Sequence, residues 1–175
     1  MSRELERCGA IVSGLLSFSR ESGLEYKDID LNEVIQSILS LTRHKLELKN
    51  IQPVVRLSPT PLMVKGDINQ LQQCFLNLIF NAIEAMPGQG RLTVISAPHP
   101  DRKNAGVEIR DTGYGIPKEN LDQLFDPFFT TKGAGEGTGL GLSIVYGIVK
   151  NHGGHIHIDS KVGQGTAFIL NFPLI

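Results

Sequence analysis

The amino-acid sequence predicts an α+β fold, and three observations predict it. Asp30 and Asp67 each stand immediately before a long stretch whose apolar residues recur at helical spacing. The short segments IQPVVRL, LMVKG, RLTVISAP, GVEIRD, HIHIDS and GTAFILNF read as strands bounded by turn residues. Between two groups of these strands lies Asp111–Gly141, beginning DTGYGIP and ending GEGTGLG, where glycine, charge and aromatic residues crowd together.

Length and composition set the outer bounds. With 175 residues, 41% of them hydrophobic, and no tryptophan, the chain suits one compact domain plus an appendage. A formal net charge of −1 gives no general attraction to nucleic acid or to an anionic membrane, so any basic site must be local. Cys8 and Cys74 lie far apart inside apolar helical patterns, which points to buried free thiols and a reducing, cytoplasmic compartment. No apolar run reaches membrane-spanning length, and no signal peptide opens the sequence.

Residues 1–20 carry Leu5, Cys8, Val12 and Leu15 at heptad-like spacing, broadened by Ile11, Leu16 and Phe18. This amphipathic helix packs on its own domain or forms half of a helical hairpin or dimer bundle; Gly9 and Gly14 weaken it, and the pattern does not choose. Residues 21–27 read as a linker. Asp30, with Glu33 three residues on, has capping-box spacing for a second helix carrying Val34, Ile35, Ile38, Leu41 and Leu46 and ending at Asn50. Pro53 puts IQPVVRL at a sheet edge, and the Pro-Thr-Pro at 59–61 marks a turn before LMVKG. Asp67 and Gln70 repeat the capping signal for a third helix that Pro87 and Gly88 stop. Its apolar face is Leu71, Phe75, Leu78, Ile79 and Ala82. Asn77, Asn81 and Glu84 align beside it, where amides in so apolar a helix cost stability unless they meet polar partners. An amide carbonyl there suits a hard cation such as Mg²⁺ and its phosphate co-ligands.

GVEIRD delivers Asp111 at a strand end, where an ionised carboxylate can only accept hydrogen bonds and so suits an exocyclic amino group such as adenine presents. Ile116 and Pro117 with the third helix supply apolar walls. A short helix then ends near Leu124, and Phe125, Phe128 and Phe129 are expected to anchor the hinge of a lid in the core. Thr130, Thr131 and Lys132 follow, the lysine able to act as a point charge on phosphate. Gly135, Gly137, Gly139 and Gly141 alternate strictly, which fits neither the P-loop nor the G-x-G-x-x-G spacing. Gly141 leads into LSIVYGIVKNH, a helix whose amino terminus offers unpaired N–H groups to an anion. HIHIDS and GTAFILNF are strands joined by a tight KVGQG turn. His155, His157 and the nearby His152 are read as the polar face of a half-covered sheet rather than as metal ligands.

In order along the chain, NLIFNAIEAM, DTGYGIP, LFDPFFTTK and GEGTGLGLSIV resemble the N, G1, F and G2 boxes of the catalytic, ATP-binding domain of sensor histidine kinases, nitrogen-regulator-like in style. That family shares a superfamily with gyrase, MutL and the heat-shock chaperone ATPase. The resemblance covers residues 30–175 and implies a Bergerat-type α/β sandwich, a mixed sheet with helices on one face and ATP held between helix and lid. It assigns Asn81 to Mg²⁺, Asp111 to adenine, Gly113 and Gly115 to the G1 loop, and Gly137, Gly139 and Gly141 to phosphate or the lid hinge. Thr166 resembles a threonine that meets the adenine through water. Ile116, Phe125, Thr130, Thr131, Lys132, Thr138, Leu140 and Leu142 complete the expected nucleotide contacts, with Asn77 and Lys132 as the catalytic positions.

There are departures. Glu84 stands where some relatives carry a lysine or arginine, which leaves the cationic role to Lys132. Asn77 stands where ATP-hydrolysing relatives place a general-base glutamate, and an amide cannot take a proton from water. The resemblance therefore implies phosphoryl transfer from ATP to a protein histidine. An ATP-hydrolysing conformational switch, a nucleotide-sensing module without chemistry and a serine-kinase relative are the alternatives. ERCGAIVSGLLSFSR resembles the second helix of the dimerisation and phosphoacceptor hairpin, so residues 1–24 are expected to be a remnant of that hairpin and 25–175 the kinase domain. The first hairpin helix is missing, and none of His44, His99, His152, His155 or His157 sits in an acceptor motif. The chain is thus expected to bind ATP without phosphorylating itself on the usual histidine. Its implied partners are a histidine-bearing dimerisation domain and a response regulator, and its implied parent is a homodimeric sensor, membrane-anchored or not.

Overall fold

The computed structural model describes residues 25–100, 103–131 and 137–175. The N-terminal helix, Cys8 and Lys132 lie outside the described residues. Asp30 is the N-cap of α1 (Leu31–Leu48): its Oδ1 accepts from the N–H groups of Asn32 (3.0 Å) and Leu62 (2.9 Å). One carboxylate thus caps the helix and holds the loop before the strand Met63–Gly66. Glu33 has no part in this cap, so the capping box is not formed. Asn50, at φ 50°, turns the chain out of the helix, a left-handed position that asparagine tolerates. Asp67 caps α2 (Ile68–Ala85), accepting from Gln70 N–H at 3.0 Å, and a one-turn helix, α3 (Lys118–Leu121), comes later in the chain.

The strands are β1 (Lys27–Asp30), β2 (Ile51–Arg56), β3 (Met63–Gly66), β4 (Gly90–Pro98), β5 (Asn104–Asp111), β6 (His155–Lys161) and β7 (Gly165–Pro173). The main sheet has five strands in the order β2-β4-β5-β7-β6. Its β2–β4 pair is parallel and the remaining pairs antiparallel, so the sheet is mixed. Pro53 does sit on an edge strand. In β5 the residues Ala105, Val107, Ile109 and Asp111 are buried while Arg110 is exposed, and in β6 His155, His157 and Asp159 are exposed. This alternation marks a sheet covered on one face. Leu71, Phe75, Leu78, Ile79 and Ile83 of α2 form the centre of the core with Leu92, Val94 and Val107 of the sheet.

Three expectations are corrected. The linker reading of 21–27 runs into β1, a four-residue strand that pairs antiparallel with β3 in a separate two-stranded sheet. LMVKG is therefore not a neighbour of IQPVVRL. Second, the phenylalanines of FDPFF are not core residues: Phe128 is 62% exposed, Phe125 and Phe129 half-buried. Phe125 stacks on Tyr146, ring centroids 5.1 Å apart.

Third, His152 leaves the sheet face. It follows α4 (Gly141–Asn151) and is buried, accepting at Nε2 from Asp67 N–H (3.1 Å), with Nδ1 2.7 Å from the Ile148 carbonyl. Because Nε2 must accept, the proton sits on Nδ1 and is donated to Ile148. Burial pushes the His152 pKa down, opposed by the Ile148 carbonyl and the Asp67 charge. Around it Glu25 N–H donates to Asp67 Oδ2 (3.3 Å) and the Tyr26 hydroxyl to the Asn151 carbonyl (3.0 Å). The segment before β1 is thereby strapped to the start of α2 and the end of α4.

Candidate nucleotide site

Where β5 ends, Asp111 is 4% exposed, and the chain around it explains how a carboxylate stays there. Its Oδ1 accepts from Gly113 N–H at 2.7 Å and from Thr166 N–H at 3.2 Å. Both donors are main chain. Neither bond uses Oδ2. Burial pushes the Asp111 pKa up, and the backbone N–H groups of Gly113, Thr166 and Asp111 itself, with the Arg110 charge, pull against it.

The glycines after Asp111 permit close backbone approaches. A Cβ on Gly113 would lie 2.4 Å from the Ala85 carbonyl oxygen, which accepts from Tyr114 N–H at 3.1 Å. Gly115 has φ +72°, and a Cβ there would lie 2.1 Å from the Lys161 carbonyl oxygen. The loop is thus pressed between the end of α2 and the β6–β7 hairpin. Ser160, a residue the sequence reading passed over, joins these parts. Its Oγ accepts from Ile116 N–H (2.8 Å) and bonds the Thr166 hydroxyl (2.8 Å).

A cavity of about 740 Å³ opens in front of Asp111, of a size common for small-molecule sites. Asn77, Asn81 and Glu84 of α2 line it, as their shared helix face predicts. Asp111, Gly115, Ile116, Thr130, Thr131, Gly137, Thr138, Gly139, Gly141, Leu142 and Thr166 line it as well. Gly113 and Leu140 do not, the first shaping the loop from behind and the second serving as the N-cap of α4. Phe125 is also outside the lining, since its ring is turned to Tyr146, and Phe129 takes the wall instead. Phe80, Tyr114, Asn120 and Val162 are lining residues that the sequence reading missed. Phe80 was within reach of it: three residues after Asn77 and four before Glu84, it shares their face.

At the other side of the cavity the lid base is closed by Phe128 N–H, which donates to the Gly139 carbonyl at 2.9 Å. Phe128 has φ 69° and Gly139 φ 66°, and a Cβ on Gly139 would strike the Phe128 backbone at 2.3 Å. Helix α4 starts directly behind this closure with no side-chain cap. Gly141 and Leu142, in its first turn, face the cavity, so unpaired N–H groups and a positive helix end are presented to it. The Asn77 amide donates to the Gly141 carbonyl at 3.4 Å, a long bond that ties α2 to the start of α4. Among the described residues the lining holds two carboxylates, Glu84 and Asp111, and no lysine or arginine. The site therefore combines one sequestered acceptor, an amide-bearing helix face and a helix amino terminus around a partly apolar space.

Residues 66–175 match the family model described as histidine kinase-, DNA gyrase B- and HSP90-like ATPase. The chain belongs to that family of ATP-binding domains. Among similar proteins, the sensor kinase CckA of Brucella abortus (strain 2308) is 38% identical over 186 residues, which take in 99% of this chain and 20% of that protein. Sporulation kinase C of Bacillus subtilis (strain 168) is 37% identical over 172 residues, covering 98% of this chain and 39% of its own length. The chain thus spans well under half the length of these relatives. The solved catalytic domain of histidine kinase ThkA superposes with a TM-score of 0.76 at 34% identity, covering 86% of this chain and 96% of that one. By these relatives the domain is of the histidine kinase catalytic type, and the mixed sheet with its helices is the architecture they share.

Proposed function

We propose that the cavity binds ATP and that the domain transfers its γ-phosphoryl group to a histidine on a separate dimerisation domain of the parent sensor kinase. The observation that carries this reading is Asp111, buried in the cavity wall with Oδ1 engaged by main chain, and we assign Oδ2 to the ligand. Adenine's exocyclic amino group matches that acceptor, with Thr166 beside it and Ile116 and Leu142 as apolar walls. The triphosphate then runs along the Asn77–Asn81 face to the first turn of α4 and to Gly137 and Gly139, with Thr130 and Thr131 at the lid margin. We assign Lys132 to the phosphates as a point charge.

Asn81, an amide in the cavity wall, suits Mg²⁺, which favours oxygen ligands. When bound, the ion supplies neutralisation of charge on the phosphate oxygens. The protein's own part is positioning: α2 and the lid hold the γ-phosphorus while a neutral histidine nitrogen forms the N–P bond and the P–O bond to the β-phosphate breaks. Asn77 supports transfer over hydrolysis, because its amide holds the Gly141 carbonyl and cannot deprotonate water. The phosphohistidine then serves a response regulator; the ThkA kinase, 31% identical to this chain, has been solved in complex with its response regulator TrrA. No helix among the described residues is long and apolar enough to cross a membrane, and we place the domain in the cytoplasm.

The test mixes the chain, γ-labelled ATP and Mg²⁺ with the separately made hairpin domain of the parent. Acid-labile label on the hairpin is the expected result. Rapid free phosphate without protein label would instead make the domain an ATPase, and intact bound ATP with neither product would make it a nucleotide-binding module.

A further inference from the structure

We propose that Lys45, on α1 and outside every motif of the family, is a cation for the phosphate end of the nucleotide; this rests on the ATP reading above. Among the described residues the cavity wall has an electrostatic deficit. Its described lining carries Glu84 and Asp111 with no lysine or arginine, although a nucleoside triphosphate brings several negative charges. Lys45 lies in the last turn of α1, and its Nζ is 4.2 Å from the centre of the Phe80 ring. Phe80 is part of the cavity wall and shares a helix face with Asn77, Asn81 and Glu84. The ring therefore holds an ammonium group close to the amide face assigned to the triphosphate.

Lys45 is exposed and forms no ion pair among the described residues. Its flexible stem can swing the ammonium from the ring to a phosphate oxygen without moving the backbone. The position also explains how Glu84 is tolerated where relatives with a basic residue place a cation. The neighbouring helix adds a positive charge to the one assigned to Lys132. A simple helix-end role, in which Lys45 only complements the α1 dipole, predicts an effect on stability and none on ligand selectivity.

The test is calorimetric binding of ATP, ADP, AMP and adenosine to the whole chain with Mg²⁺, comparing wild type, Lys45→Met and Lys45→Arg at low and high salt. Lys45→Met keeps most of the stem over Phe80 and removes only the charge. We expect it to weaken ATP about fivefold at low salt, the upper range for an exposed ion pair. The loss should shrink from ATP to AMP, vanish for adenosine and fade as salt rises, with Lys45→Arg restoring affinity. An equal loss for adenosine and ATP, or no loss for any ligand, overturns the assignment. A wild-type chain that binds none of the four overturns the ATP reading itself, a result distinct from a binding wild type with an indifferent Lys45.

Discussion

Asp111→Asn separates the ligand role of this residue from its place in the fold, because the two carboxylate oxygens do different work. Oδ1 accepts from Gly113 and Thr166 N–H groups at 2.7 and 3.2 Å. An asparagine Oδ1 accepts both bonds unchanged, so the loop and the start of β7 keep their anchor. Its Nδ2 replaces Oδ2 and turns the ligand-facing acceptor into a donor. Against an adenine amino group this loses a charge-assisted hydrogen bond and sets donor against donor, together about 3–4 kcal/mol, or roughly 10²- to 10³-fold in Kd for ATP.

Stability moves little or in the opposite direction. Burial raises the Asp111 pKa, so the fold favours the protonated carboxyl, and ionisation takes stability away as pH rises from 3.8 toward the raised folded value. At neutral pH the uncharged amide removes that burden. Competition between ATP and GTP for the site, measured with a urea melt of the same variant, reads both effects. An unchanged preference for ATP over GTP would refute the adenine assignment, and a collapsed melt would refute the claim that Oδ1 alone holds the loop.

Asn81→Ala should weaken ATP more with Mg²⁺ than with a chelator present; equal losses in the two conditions would remove Asn81 from the metal. Gly115→Ala meets the Lys161 carbonyl at 2.1 Å with φ at +72° and should cost at least about 2 kcal/mol in urea melts. Gly141→Ala is its control, with nothing within 4 Å of the added Cβ, and should leave stability within about 1 kcal/mol. His152 has a folded pKa below its ordinary 6.5, so the unfolded chain binds the extra proton and stability is lost as pH falls below 6.5. His152→Gln should flatten that part of the pH profile, and an identical profile would place the acid-sensitive group elsewhere.

Much of this was legible in the sequence because local chemistry and tertiary structure agree. Asp30 and Asp67 cap the helices they precede, and the Asn77–Asn81–Glu84 stripe faces the cavity as its spacing requires. What was misread depends on partners distant in the chain. β1 is a strand only because β3 pairs with it, and a four-residue KDID has no pattern of its own. The FDPFF ring positions look like core, yet Phe128 takes a left-handed backbone against Gly139 and its ring points outward. His152 resembles the two sheet histidines in sequence, while its buried place comes from Asp67, 85 residues away. Lys45 lies on a separate helix from every motif, and only the α1–α2 packing brings it to Phe80.

The main-chain hold on Asp111 also shapes how this site can change through evolution or under drug pressure. The groups that orient the carboxylate are amide hydrogens of positions 113 and 166, which every amino acid except proline carries. A substitution at 166, proline aside, leaves its donor in place, whereas at 113 any side chain would meet the Ala85 carbonyl, so the alignment of the acceptor rests on one tolerant position and one that only glycine fits. A compound that bonds the Asp111 carboxylate therefore relies on a group whose orientation can be disturbed through Asp111 or Gly113, and not through the side chain at 166.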